Sequence, residues 1–142
     1  MTEQNRQEED IKRRYVELQL LERQLKTLHS QIQQLEQQTA EVDEITNVLH
    51  QLAEQKPDTD ILIPISQGIF FKGKLIDAKQ VLVNVGSGTF IKKESAETQK
   101  DLGNQVVQMR KLAEDRAAKL QELSTYAERV QEDLKKLVEE HQ

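Results

Sequence analysis

The chain has 142 residues, one domain's worth, and a formal net charge of −5. Aromatic residues make up only 4% and Trp is absent, which disfavours a rounded core built on large aromatic side chains. Charged residues reach 32% without any basic block, a mix that suits long solvated helices and excludes the concentrated basic footprint of a nucleic-acid binder. Lys12-Arg13-Arg14, Lys92-Lys93 and Lys135-Lys136 are short and lie beside acids, as on a solvated face. Without Cys there are no disulfides or thiolate metal sites, in keeping with a reducing cytoplasm. The N-terminus is polar, and no apolar run approaches the ~18–20 residues that cross a bilayer. The expectation is a cytoplasmic protein with no membrane contact.

The first zone, residues 2–56, predicts one long helix. Counted in heptads, one position reads Leu18, Leu25, Ile32, Thr39, Thr46, Ala53 and its partner reads Leu21, Leu28, Leu35, Val42, Leu49. Spacings that alternate between three and four residues are the a/d seam of a coiled coil. Ile11 extends the seam by a heptad, and Arg14 interrupts it. Pro57 ends the helix, because proline has no N–H for the ladder and restricts the residue before it.

The middle zone, residues 60–93, changes period. Ile61–Ile65, Ile69–Ile76, Val81–Val85 and Thr89–Lys92 are short runs rich in β-branched and aromatic residues. Ser66-Gln67-Gly68, Asp77-Ala78-Lys79-Gln80 and Gly86-Ser87-Gly88 are turn signals between them. Two β-hairpins follow, with Pro64 placing the first strand at an edge or a bulge. Phe71 and Leu75 fall on one face, Phe70 and Ile76 on the other. So small a segment does not sustain its own core, and two apolar faces call for a partner. The hairpins are expected to join those of other subunits in a shared sheet or barrel. The candidate interface residues are Ile61, Ile63, Ile65, Phe70, Phe71, Leu75, Val81, Val83, Val85 and Phe90. Some folding back onto the nearby helix ends is also expected, where Ile45, Val48, Leu52, Val107 and Leu112 widen the apolar stripe.

The third zone, residues 95–142, predicts a second long helix with Ser95 as its N-cap. Its seam reads Val106, Ala113, Leu120, Ala127, Leu134 and Leu102, Met109, Arg116, Leu123, Val130, Leu137. Gly103 costs the helix about 1 kcal/mol relative to Ala. The two seams match in length, so an antiparallel helix pair is expected, with Leu52 near Leu102 and both chain ends at one tip. Arg116 is a charged seam residue, expected to set register, with Glu36 as its nearest counter-charge. The whole chain, 1–142, reads as a single domain.

Catalytic patterns are missing. His29, His50 and His141 are far apart and lack metal-ligand spacing. Gly86-Ser87-Gly88 lacks the Lys and the helix start of a phosphate loop and reads as a hairpin turn. The carboxylates lie on solvated helix faces, with no burial to tune an acid or base. Neither an enzyme nor a cofactor is expected.

The layout of helix, two hairpins, helix resembles the alpha-class subunit of the prefoldin family, the class of archaeal subunit alpha and eukaryotic subunit five. The specific likeness lies in Pro64-Ile65-Ser66-Gln67-Gly68-Ile69-Phe70-Phe71-Lys72-Gly73-Lys74-Leu75. It continues through Asp77, then Val81-Leu82-Val83-Asn84-Val85-Gly86-Ser87-Gly88, and ends at Phe90-Ile91-Lys92-Lys93. Ser66-Gln67 is less glycine-rich than the family pattern. A second hairpin points to the alpha class, because beta-class subunits have one. The resemblance implies an ATP-independent co-chaperone: a hexamer of two alpha and four beta subunits on a β-barrel platform. Its coiled-coil tips would hold unfolded proteins and pass them to a group II chaperonin. The candidate client-binding residues are Ile11, Tyr15, Leu18, Leu20, Leu134, Leu137 and Val138, around a tip where Arg14 and fraying ends weaken the seam. Leu21 is also apolar there, and for Leu18, Leu21, Leu134 and Leu137 closing the coil is the better reading. The other readings are a prefoldin-like scaffold subunit that holds no client and a plain coiled-coil tether.

Overall fold

The computed structural model describes residues 2–141. In chain order it contains α1 (Glu3–Ala53), β1 (Thr59–Ser66), β2 (Ile69–Leu75), β3 (Gln80–Gly86), β4 (Thr89–Glu94) and α2 (Ser95–His141). This is the expected α+β architecture, with two hairpins inserted between two long helices. It divides into two compact units, Met1–Gln37 with Met109–Gln142, and Gln38–Gln108.

The first unit is an antiparallel helix pair. Gln7 and Glu8 lie beside His141, and Glu17 lies opposite Tyr126. Its core is Leu21, Ala127 and Val130, flanked by Leu18, Leu25 and Leu123. All six occupy predicted seam positions, and Val130 at 1% exposure is the most completely buried. The apolar seam closes because the residues between seam positions are polar and leave only one stripe to bury. No Gly or Pro falls within α1, so nothing breaks its backbone ladder.

The second unit contains both hairpins. β1 pairs antiparallel with β2, and β3 with β4, in two separate two-stranded sheets. Leu62, Gly68, Phe70 and Lys72 of the first recur as Leu82, Gly88, Phe90 and Lys92 of the second. Each first strand bulges just before its turn, between Pro64 and Ser66 and between Asn84 and Gly86. The proline therefore sits on an edge strand beside a bulge, where its missing N–H is tolerated. The second turn holds both loop residues at positive φ, Ser87 at 51° and Gly88 at 72°. That is the twist-matching geometry of two-residue hairpins, and it favours Gly at the second position.

The ends of the helices depart from expectation. α1 stops at Ala53 and does not reach Lys56. Beyond it the chain joins the first hairpin: the Asp58 N–H donates to the Leu75 carbonyl at 2.7 Å, with Asp58 at φ 65°. The Thr59 hydroxyl adds a bond to the Lys56 carbonyl at 2.6 Å. Ala53, predicted on the seam, is exposed, and Leu52 is half-buried in its place. Ser95 is the first helical residue of α2, not the cap residue before it, and it is almost fully buried. Its N–H donates to the Lys79 carbonyl at 2.7 Å, and its hydroxyl accepts from Gln99 Nε2. Ser95 thus ties α2 to the turn that precedes β3. Lys93 of β4 adds an ion pair to Asp101 of α2 at 3.0 Å. That hydrogen bond and the negative charge of Asp101 hold the Lys93 ammonium pKa above its usual value.

Candidate functional site

Each unit carries an apolar surface. In the second unit the pairing of Ile63 with Phe71, Ile61 with Gly73 and Thr59 with Leu75 puts these residues on one face of the first hairpin. Gly73 leaves room there for Ile63, whose Cδ1 would lie 2.9 Å from an added Cβ. Leu62 with Lys72 and Pro64 with Phe70 form the other face. The second hairpin repeats this, with Val83 opposite Ile91 on one face and Leu82 opposite Lys92 and Asn84 opposite Phe90 on the other.

Part of the first face is covered within the chain, and the rest of both faces is open. Ile61, Leu75, Val81 and Val83 are half-buried. On the other face Phe70 is 53% exposed and Phe90 59%, with Leu62 and Leu82 more open still. Ile65 and Val85, at the two bulges, are also exposed, as are Phe71 and Ile63. Leu62, Leu82 and Ile69 were not among the predicted interface residues. Leu62 and Leu82 alternate with Ile61, Ile63, Val81 and Val83, which places them on the opposite face of each strand. Ile76 lies beyond the end of β2 and is fully outside the sheet pattern. Ile45, Val48 and Val107 are exposed as well, so the hairpins do not fold back to cover them.

The first unit carries the second surface. Tyr15, Leu18, Leu134 and Val138 line one open groove of about 500 Å³, together with Gln131, Lys135 and Glu139. Four of the seven predicted tip residues therefore meet in one place. Tyr15, off the seam, is 56% exposed, and Val138 is exposed beside it. Leu20 is 53% exposed but lines a different groove, farther along α1. Ile11, Leu18, Leu134 and Leu137 are half-buried, as seam residues should be, and Leu21 is buried. Val16, outside the predicted set, is exposed next to Tyr15.

The tip is closed in this structure. The interrupting Arg14 is half-buried, and its Nη1 lies 3.2 Å from Glu17 Oε2. The other Glu17 oxygen accepts a hydrogen bond from the Tyr126 hydroxyl across the pair. That bond, reinforced by the carboxylate charge, raises the Tyr126 pKa above its ordinary value of 10.0. At the chain ends His141 Nδ1 lies 3.3 Å from Gln7 Oε1 and Nε2 lies 3.7 Å from Glu8 Oε1. The charged seam residue is neutralised locally instead of splaying the helices. Arg116 is half-buried too, and among the described residues no ion pair joins it to Glu36.

Among the described residues no group of three His, Asp or Glu could hold a metal ion. None of their helices is long and apolar enough to cross a membrane. The geometry offers apolar contact surfaces, and its strongest polar links serve the coil itself.

Comparison with known proteins gives a consistent match. The Prefoldin family model, described as "Prefoldin subunit", matches residues 21–140. Prefoldin subunit alpha of Methanococcus aeolicus is 27% identical over 131 residues, covering 92% of this chain and 89% of that one. Prefoldin subunit 5 of Pongo abelii is 32% identical over 77 residues, 54% of this chain and 47% of that one. Among solved structures, a filamentous PFD of Methanocaldococcus jannaschii determined by cryo-EM superposes with a TM-score of 0.70. The superposition covers 81% of this chain and 95% of that chain at 17% identity, a likeness of fold.

Proposed function

The chain belongs to the prefoldin family and is a subunit of a chaperone-type assembly; from that premise we propose that it is the alpha-class subunit of an ATP-independent co-chaperone that holds unfolded proteins at its coiled-coil tip. Its hairpins join those of beta-class subunits in a β-barrel platform of two alpha and four beta subunits. The held client passes to a group II chaperonin in the cytoplasm. The observation that carries this reading is the groove in which Tyr15, Leu18, Leu134 and Val138 converge at the end of the coil. Two of these side chains, Tyr15 and Val138, lie off the seam and are exposed, so the coil does not need them in order to close. Contact there is weak per site, at about 25 cal/mol per Å² buried. Several tips around one client raise the effective affinity without new contacts. The bare face of the hairpins, with Leu62, Phe70, Leu82 and Phe90 exposed, supports a separate role in assembly.

The test mixes the chain with beta-class subunits, measures the mass of the assembly, and follows aggregation of a chemically denatured protein. Tyr15→Ser with Val138→Ser should leave the mass unchanged and abolish suppression of aggregation. Suppression that persists would remove the tip from the mechanism and favour another holding surface. Deleting residues 60–93 should abolish assembly.

A further inference from the structure

We propose that the coil of the first unit carries a second docking groove, distinct from the tip, which receives an acidic amphipathic protein segment. The floor is Leu20, Leu28 and Leu123; the rim is Arg23, Arg116 and Lys119, and no Asp or Glu is among the lining residues. In a chain with 25 acidic and 20 basic residues, three cations without an acid is a local reversal of the overall charge. Leu20 is more than half exposed and lies off the seam, so closing the coil does not use it.

The cations are poorly matched within the chain. Arg116 is half-buried at a seam position, and among the described residues no carboxylate pairs with it. A guanidinium held against leucines gains most from a planar carboxylate that can accept two of its N–H groups. Lys119 reaches only its own neighbour Glu122, at 3.8 Å and with both side chains mostly exposed, a link of little worth. Gln31 also lines the groove, and its Oε1 is buried with no hydrogen-bond partner. An occupant that brings carboxylates to the rim and apolar groups to the floor pairs those cations and covers the leucines, and a hydroxyl or amide N–H beside them would donate to the Gln31 oxygen.

The shape fits a helix. Leu20, Gln24, Thr27 and Gln31 follow one another along one face of α1, about three turns or roughly 16 Å. The open volume is about 550 Å³. A partner helix with apolar residues three and four apart and Asp or Glu on its flanks would lie along it. The tip groove differs in chemistry, since Lys135 and Glu139 there balance each other.

The test uses the full chain and two labelled synthetic peptides of about 18 residues. They share one leucine pattern; one carries Glu on its polar face and the other Lys. Fluorescence anisotropy should show binding of the Glu peptide and none of the Lys peptide. Arg23→Glu with Lys119→Glu should weaken the Glu peptide by about tenfold or more, as should raising salt to ~0.5 M. Both residues lie off the seam, and circular dichroism checks that the coil persists. Should the reversal disturb folding, Arg23→Gln with Lys119→Gln should give a smaller loss in the same direction. Tyr15→Ser with Val138→Ser should leave the affinity unchanged, which separates this groove from the tip. Equal binding of the Lys peptide, or no loss in either rim variant, would overturn the proposal. So would loss in the tip variant, or displacement of the peptide by a lower concentration of single-stranded RNA.

Discussion

Replacing Phe70 and Phe90 with Ala tests the hairpins as an assembly surface. The two side chains hold equivalent places, Phe70 opposite Pro64 and Phe90 opposite Asn84. They are 53% and 59% exposed, so each leaves about 100 Å² for a partner to cover, taking a phenylalanine as burying about 200 Å² in full. At about 25 cal/mol per Å², covering both contributes about 5 kcal/mol. Alanine keeps a little of that, so the double variant should lose about 4 kcal/mol, roughly a thousandfold in the dissociation constant. Within the chain each phenylalanine contributes only a cross-strand contact, worth ~1 kcal/mol or less, and the hairpins should stay folded. Mass measurement across a dilution series gives the affinity, and circular dichroism checks the fold. An unchanged mass at all concentrations, with the hairpins folded, would refute the assignment of this face to assembly.

Other consequences follow from the coil and its polar links. Val130→Ala removes two methyl groups from the most buried site and should destabilise by about 1.5–3 kcal/mol, read as a lower midpoint of thermal unfolding. Gly103→Ala should stabilise by about 1 kcal/mol, because an added Cβ meets nothing within 4 Å there. The Tyr126 phenol should titrate above 10.0 by its absorbance near 295 nm, and Glu17→Gln should bring it back down. The folded-state pKa is raised, so the bond to Glu17 is fully present below the unfolded pKa. It is lost as pH rises through the folded one. Stability that is flat through that alkaline window would contradict the Tyr126–Glu17 link.

The seam was legible because burial along a helix repeats with the heptad, and the residues at its positions, the exposed Ala53 apart, are half-buried or buried in both helices. Two-residue turns were legible for a similar reason: Gly68 and Gly88 occupy positive φ, which few residues accept. The end of α1 was legible only in part: Pro57 marks a stop, but the helix ends at Ala53, and the chain joins the hairpin through a bond from Asp58 to Leu75, a residue distant in sequence. The polar partners across the pair were equally hidden. A heptad count says that Arg14 is out of place, but not that Glu17 stands ready to neutralise it or that Tyr126 holds Glu17 from across the pair. The basic groove was missed because its cations come from both helices. Arg23 belongs to one and Arg116 and Lys119 to the other, and no run in the sequence joins them. The predicted tip set separated for the same reason, with Leu20 turned to that groove and Tyr15 and Val138 to the other.

The division of labour between hairpins and tip is tested most directly by site-specific photo-crosslinking in the assembled complex. A photoreactive side chain at Val138 should capture a denatured client, while one at Leu82 should capture only a neighbouring subunit. Client captured from Leu82 and absent from Val138 would contradict the account.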